Sequence, residues 1–229
     1  MKENCKSNVL FVSVHPDDET LGCGGTILKH KELGDTINWL NITDMDNNHP
    51  FGFSHEIVGK VQNIIASINM SYKFDKFINL KFYERLIDTI PLSDLILKIS
   101  QIIYDLQPDI LYIPNRSDVQ SDHRLSFQAI YPCTKNFRYP FIRKVLMYET
   151  LSETEFAPAL VENAFIPNTF VDITDYIDTK IEIMKIYETE IMPDPLPRSA
   201  HAIKGLAAFR GSRIGVKYAE AFMCIFQRF

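Results

Sequence analysis

The stretch NVLFVSVHPDDETLGCGGT (residues 8–26) changes character halfway along. Up to Val14 it is apolar and rich in valine, the pattern of a strand buried on both faces. It then stops on His15, Pro16 and three consecutive acids, Asp17, Asp18 and Glu19. Three adjacent carboxylates repel one another and pack badly. From Thr20 onward the pattern suits a helix, with Gly22, Gly24 and Gly25 allowing close backbone approach in its first turns. A buried strand, a charged turn and a helix form the opening unit of a parallel sheet. In such a sheet ligands bind outside the carboxyl ends of the strands.

Working outward, residues 20–33 read as that helix and 35–42 as a second strand. Residues 43–53 are loop-like in composition. Residues 54–69 form an amphipathic helix, with Ser54 as its cap. A short strand is expected at 77–80, and a helix capped by Ser93 at 93–106. The run DILYIP (109–114) is another buried strand. A polar loop follows it, then a helix from about 123 to 130 and a strand over 144–150. A long helix spans 174–191, ended by Pro193, Pro195 and Pro197. Residues 199–213 are helical, and 218–229 close the chain as helix or strand. Alternating apolar strands and helices predict an α/β fold: a Rossmann-like, doubly wound, mostly parallel sheet with helices on both faces. There is no repeat or linker, so residues 1–229 are expected to form a single domain. About 151–229 would be a C-terminal part packing near the functional end of the sheet.

Composition narrows the class. The chain has 229 residues, 46% of them hydrophobic and 23% charged, enough for one sizeable core. Its net charge of −5, without a basic run, argues against nucleic acid or an anionic membrane as the main partner. No apolar stretch is long enough to span a bilayer. Despite Lys2, the apolar run at 9–14 is shorter than a signal core. The expected location is therefore cytoplasmic. Cys5, Cys23, Cys133 and Cys224 lie far apart with no C-x-x-C pair, so free thiols are expected rather than a disulfide framework or a cysteine zinc site.

A second polar cluster, Asp118, Gln120, Asp122 and His123, follows the DILYIP strand. If the two strands are neighbours where the strand order reverses, both clusters face one crevice. His15, Asp18 and His123 then supply two imidazoles and a carboxylate, a catalytic zinc set with one position left open for water. Zn2+ is the expected cofactor, although iron or manganese also suits these ligands. Asp17 remains as the group that can take a proton from water, whose pKa such an ion lowers to about 7. Taken alone, the His-Pro-Asp-Asp turn is equally a helix N-terminus capped by Asp17 or Asp18. The two clusters together, each after a buried strand, favour the metal. His30 and His201 read as solvated helix residues without acidic partners. His49 and His55 flank a loop, where exposure is the simpler expectation.

These motifs resemble a known family. His15-Pro-Asp-Asp-Glu19 followed by Gly22-x-Gly24-Gly25-Thr26 is similar to the signature of the PIG-L/LmbE-like zinc N-deacetylases. Asp118-x-Gln120-x-Asp122-His123 resembles that family's second motif, Asp-x-His-x-Asp-His. The segment from Arg210 to Phe222 resembles a closing segment of many bacterial members. The resemblance implies that His15, Asp18 and His123 bind zinc, that Asp17 is the general base and that Asp122 supports the ligands from behind. It implies substrate contacts for Arg85, otherwise a surface ion pair, and puts Glu149 at a crevice position. It also implies a hydrolase of N-acetylglucosamine-like amino sugars, free or as nucleotide or lipid conjugates, in glycan, glycolipid or secondary-metabolite synthesis. No nucleic acid and no integral membrane segment are expected as partners, and a homo-oligomer stays open. Gln120 departs from the motif. Glutamine can donate a hydrogen bond to an oxyanion but cannot deliver a proton. An amidase on a larger sugar conjugate and a zinc-retaining, sugar-binding pseudoenzyme are the rival expectations.

Overall fold

The structure, a computed structural model, describes residues 6–229. Lys2 and Cys5 lie outside the described residues. Thirteen elements follow in chain order: β1 (Asn8–Ser13), α1 (Asp18–Glu32), β2 (Thr36–Asp44), α2 (His55–Tyr72), β3 (Lys76–Tyr83), α3 (Leu92–Leu106), β4 (Ile110–Pro114), α4 (Ser121–Ile130), β5 (Lys144–Tyr148), β6 (Thr169–Asp172), α5 (Ile177–Met184), α6 (Ala200–Ser212) and β7 (Ala219–Gln227). The strands form one seven-stranded sheet in the order β3-β2-β1-β4-β5-β7-β6. β1 to β5 pair in parallel, while β7 runs antiparallel to β5 and to β6.

Strand geometry divides the core in two. Val9 and Phe11 of β1 face one layer, packing with Leu21 of α1, Ile68 of α2, Ile181 of α5 and Ile203 of α6. Leu10 and Val12 face the other, with Ile99 of α3 and Ile130 of α4. This period-two alternation of an all-apolar strand requires helices on both faces, so the sheet is doubly wound within a single α/β domain. β2 lies on one side of β1 and β4 on the other, which makes the β1/β4 pair the point where strand order reverses.

The glycines of α1 let it sit close to the sheet. A methyl group on Gly22 would stand 2.2 Å from Tyr148 Cδ2, and one on Gly25 2.6 Å from Ile173 Cγ2. At the same turn the Gly25 and Thr26 amides donate to the Glu220 carboxylate, at 2.9 and 2.7 Å. Lys180 Nζ donates to Glu220 and to the Leu21 carbonyl, both at 2.7 Å. A buried ion pair from α5 and β7 thus fixes α1, whose first turn carries the acidic cluster.

Several expected elements differ. The helix expected over 174–191 ends at Met184. The chain then turns, and Tyr187 donates its hydroxyl to Glu19 (2.8 Å) while Glu190 pairs with Arg198 (2.7 Å). Ser93 does not cap α3: the cap is Pro91, and the Ser93 hydroxyl donates to Asp94. Residues 219–227 are a strand, and β6 falls where no strand was expected. Cys23 and Cys133 are buried free thiols, and Cys224 is a half-buried one. Among the described residues no helix is long and apolar enough to cross a membrane.

Candidate active site

β1 ends at Ser13 and α1 starts at Asp18, so residues 14–17 must turn the chain within four positions. Asp17 absorbs the turn with φ 136°, a conformation an L-residue rarely adopts. Asp18 then points back, and its Oδ2 accepts the amides of Val14 (2.9 Å) and His15 (2.8 Å). Across the β1/β4 junction, α4 begins at Ser121 and places Asp122 and His123, both fully buried, in its first turn.

His15, Asp18 and His123 converge. His123 Nε2 lies 3.3 Å from His15 Nδ1 and 3.4 Å from Asp18 Oδ2, and His15 Nδ1 lies 3.9 Å from Asp18 Oδ2. A tetrahedral ion with ligands at about 2.0–2.2 Å separates those ligands by roughly 3.3–3.6 Å. The outer nitrogen of each ring is held by a carboxylate. Asp118 Oδ2 is 2.9 Å from His123 Nδ1, and Asp122 Oδ2 is 3.3 Å from His15 Nε2. Each imidazole is thereby oriented with its other nitrogen aimed at the common point, the arrangement that supports metal-binding histidines. Electrostatics agree. Burial works against charge on His123, but the Asp18 and Asp118 carboxylates outweigh it and raise the imidazolium to about 9. Negative charge thus concentrates around the two imidazoles, and the donor set of His15, Asp18 and His123 could hold a divalent cation.

His15, Asp18 and His123 line a cavity of about 230 Å³ that also takes in Asp17, Arg85, Gln120, Glu153, Glu190 and Arg198. Burial pushes the Asp17 carboxyl well up. Asp18 and Glu190 add to the rise, and Arg198 opposes it. Arg198 Nη1 donates to Asp17 Oδ2 (3.1 Å) and to Glu190 Oε2 (2.7 Å). Glu19, one residue past the site, turns into the interior, and burial raises it to about 7.

The HPDD-bearing portion, residues 10–133, matches the PIG-L family, described as GlcNAc-PI de-N-acetylase. The chain belongs to this family. Solved structures share the PIG-L fold. The conserved protein TT1542 of Thermus thermophilus is 22% identical, with 97% of this chain and 96% of that one covered and a TM-score of 0.75. N,N'-diacetylchitobiose deacetylase of Pyrococcus horikoshii is 21% identical, with 95% and 83% covered and a TM-score of 0.72. The 4-carboxy-2-hydroxymuconate hydratase of Pseudomonas putida is 16% identical, with 96% and 97% covered and a TM-score of 0.71. At these identities the likeness is one of fold, and the fold alone accommodates different reactions.

Gln120 lines the cavity, its side-chain oxygen buried and without a hydrogen-bond partner among the described residues. Arg85 sits at the mouth, its side chain exposed and 3.5 Å from Glu84, while its backbone N–H donates to Asp122 (2.5 Å). Glu149 does not line this cavity. It faces away from Thr150, as successive residues of an extended chain do, and Arg210 binds both its oxygens, at 2.8 and 2.6 Å. Two other histidines also differ from expectation. His30 is half-buried between Asp35 (2.7 Å) and the Tyr112 hydroxyl (3.0 Å). His49 is buried, donating to the Glu84 carbonyl (3.2 Å) and fixing its loop. Arg198, Glu190 and Glu153 carry no local signal in the sequence, because only the tertiary fold brings them here.

Proposed function

We propose that the protein is a metal-dependent hydrolase that removes the N-acetyl group from an N-acetylglucosamine-like amino sugar. The observation that carries this is the convergence of His15, Asp18 and His123, backed by Asp118 and Asp122, beside Asp17 in one cavity. His15, Asp18 and His123 would hold zinc. Such an ion would supply a Lewis acid for the acetamide carbonyl and would lower the pKa of a nearby water. Asp17 takes the proton of the attacking water, and Arg198 fixes its carboxylate in the direction of the cavity. Gln120 donates an amide N–H to the developing oxyanion. Arg85, at the mouth, meets the part of the substrate beyond the acetamide, be it a nucleotide, a lipid or another carrier. The family's described activity and the diacetylchitobiose deacetylase among the fold's relatives support this assignment. A cytoplasmic location suits a sugar precursor.

The test is metal analysis of the purified protein together with acetate release from N-acetylglucosamine, diacetylchitobiose and nucleotide- and lipid-linked N-acetyl amino sugars. One divalent ion per chain and acetate from at least one of these are expected. Release only of larger acyl groups would make it an amidase on bigger conjugates. Metal and sugar binding without release of any acyl group would make it a binding protein disabled at Gln120.

A further inference from the structure

Amide cleavage needs a proton on the departing nitrogen, and Gln120 has none to transfer. The ionisable side chains of the cavity can be accounted for one by one. Asp17 and Glu190 are bound to Arg198, and the Tyr187 hydroxyl is committed to Glu19. Asp44 accepts from Asn79 and from the Met45 amide, and Glu84 lies against the Arg85 guanidinium. Glu153 differs. Among the described residues its carboxyl makes no ion pair or hydrogen bond, and its Oε2 is buried. The backbone around it is fixed. Its N–H donates to Thr150 O (3.1 Å), and its carbonyl accepts from Val119 N–H (3.1 Å), next to Gln120. The next residue, Thr154, donates its hydroxyl to Asp118 (2.7 Å), the carboxylate that holds His123. Glu153 is therefore built into the same framework as the metal-ligating histidine, with its carboxyl free.

We propose that Glu153 is the catalytic acid that protonates the leaving amine. The assignment rests on the deacetylase reading above. Burial, the largest influence, favours its neutral form. In the step itself the C–N bond of the tetrahedral adduct breaks and its electron pair goes to nitrogen. The Glu153 carboxyl proton is transferred to that nitrogen, leaving a carboxylate. Water has by then given its hydroxyl to the acyl carbon and its other proton to Asp17. The acetic acid formed returns a proton to Glu153, and Asp17 discharges its own to the product amine or to solvent.

The test compares the metal-loaded wild type with Glu153→Gln and Glu153→Asp on an acetamido sugar and on p-nitrophenyl acetate, whose phenolate leaves without a proton. Glu153→Gln should lower amide kcat on the order of 10²–10⁴-fold. The amide-to-ester rate ratio should fall with it, and the basic limb of the kcat–pH profile should disappear. Metal content should stay unchanged, and Glu153→Asp should recover part of the rate. Equal losses on amide and ester, or an unchanged amide kcat with its basic limb intact, would overturn the assignment of Glu153 alone. A wild-type protein that cleaves no amide would remove the deacetylase reading and this proposal together.

Discussion

Replacing Lys180 with methionine tests how α1 and its acidic turn are held. The Lys180 and Glu220 side chains are 4% and 5% exposed and 2.7 Å apart. Methionine keeps the length of the stem and removes the charge. Glu220 would retain the Gly25 and Thr26 amides as donors but lose its counter-ion, and the Leu21 carbonyl would lose its partner. A buried charge stripped of its partner costs about 3–5 kcal/mol. The two remaining amide donors place the expected loss near the lower end of that range, about 3 kcal/mol. Adding Glu220→Gln removes the stranded charge and keeps an acceptor for the amides, so the double variant should recover more than about 1 kcal/mol. Urea unfolding of wild type, both single variants and the double variant gives the cycle. A Lys180→Met loss under about 1 kcal/mol with an unchanged slope, or losses that simply add, would refute a coupled buried pair.

Asp17→Asn should keep metal and fold yet lose turnover on the order of 10²–10⁴-fold, whereas Asp18→Asn should lose metal; metal content and kcat of the two variants check the roles. Asp118→Asn should weaken metal affinity about 10–100-fold, read by competition with a chelating dye, because His123 loses the carboxylate that orients it. Burial, only partly offset by Asp35, lowers the His30 pKa from 6.5. The unfolded chain therefore takes up this proton first, and the stability contributed by neutral His30 is present above about pH 6.5 and lost as pH falls through the folded value. His30→Gln should flatten the fall in melting temperature between about pH 7 and 5.

Much of this was legible because the informative residues are local. The apolar run at 9–14 and the HPDD turn lie within ten positions, and the Asp118–His123 cluster follows DILYIP almost at once. Each pairs a buried-strand signal with charges that have no use in a core. That the two clusters meet was also an inference from topology, met by the β1–β4 pairing. His30 was within reach of the same reasoning: Asp35 is five residues on, and the turn at Gly34 (φ 78°) brings it back to the imidazole. Glu149 shows the opposite limit. The strand end is plain in the sequence, but facing alternates with each residue, and the groove side belongs to Thr150.

The residues that escaped the sequence share one physical property: each matters through a partner far away in the chain or through having no partner. Arg198 lies in a proline-bounded loop with nothing to mark it until the fold sets it 3.1 Å from Asp17. Lys180 looks like any helix lysine until β7 brings Glu220 against it. Glu153 stands out only through the fold, as a cavity carboxyl with neither an ion pair nor a hydrogen bond among the described residues. A parallel sheet gathers such residues at the carboxyl ends of its strands because all its loops on that side converge there. On the proposed reading, the two motifs of this chain fix where the chemistry occurs, while residues that the fold brings back over them, Glu153 and Arg198 above all, decide how protons move through it.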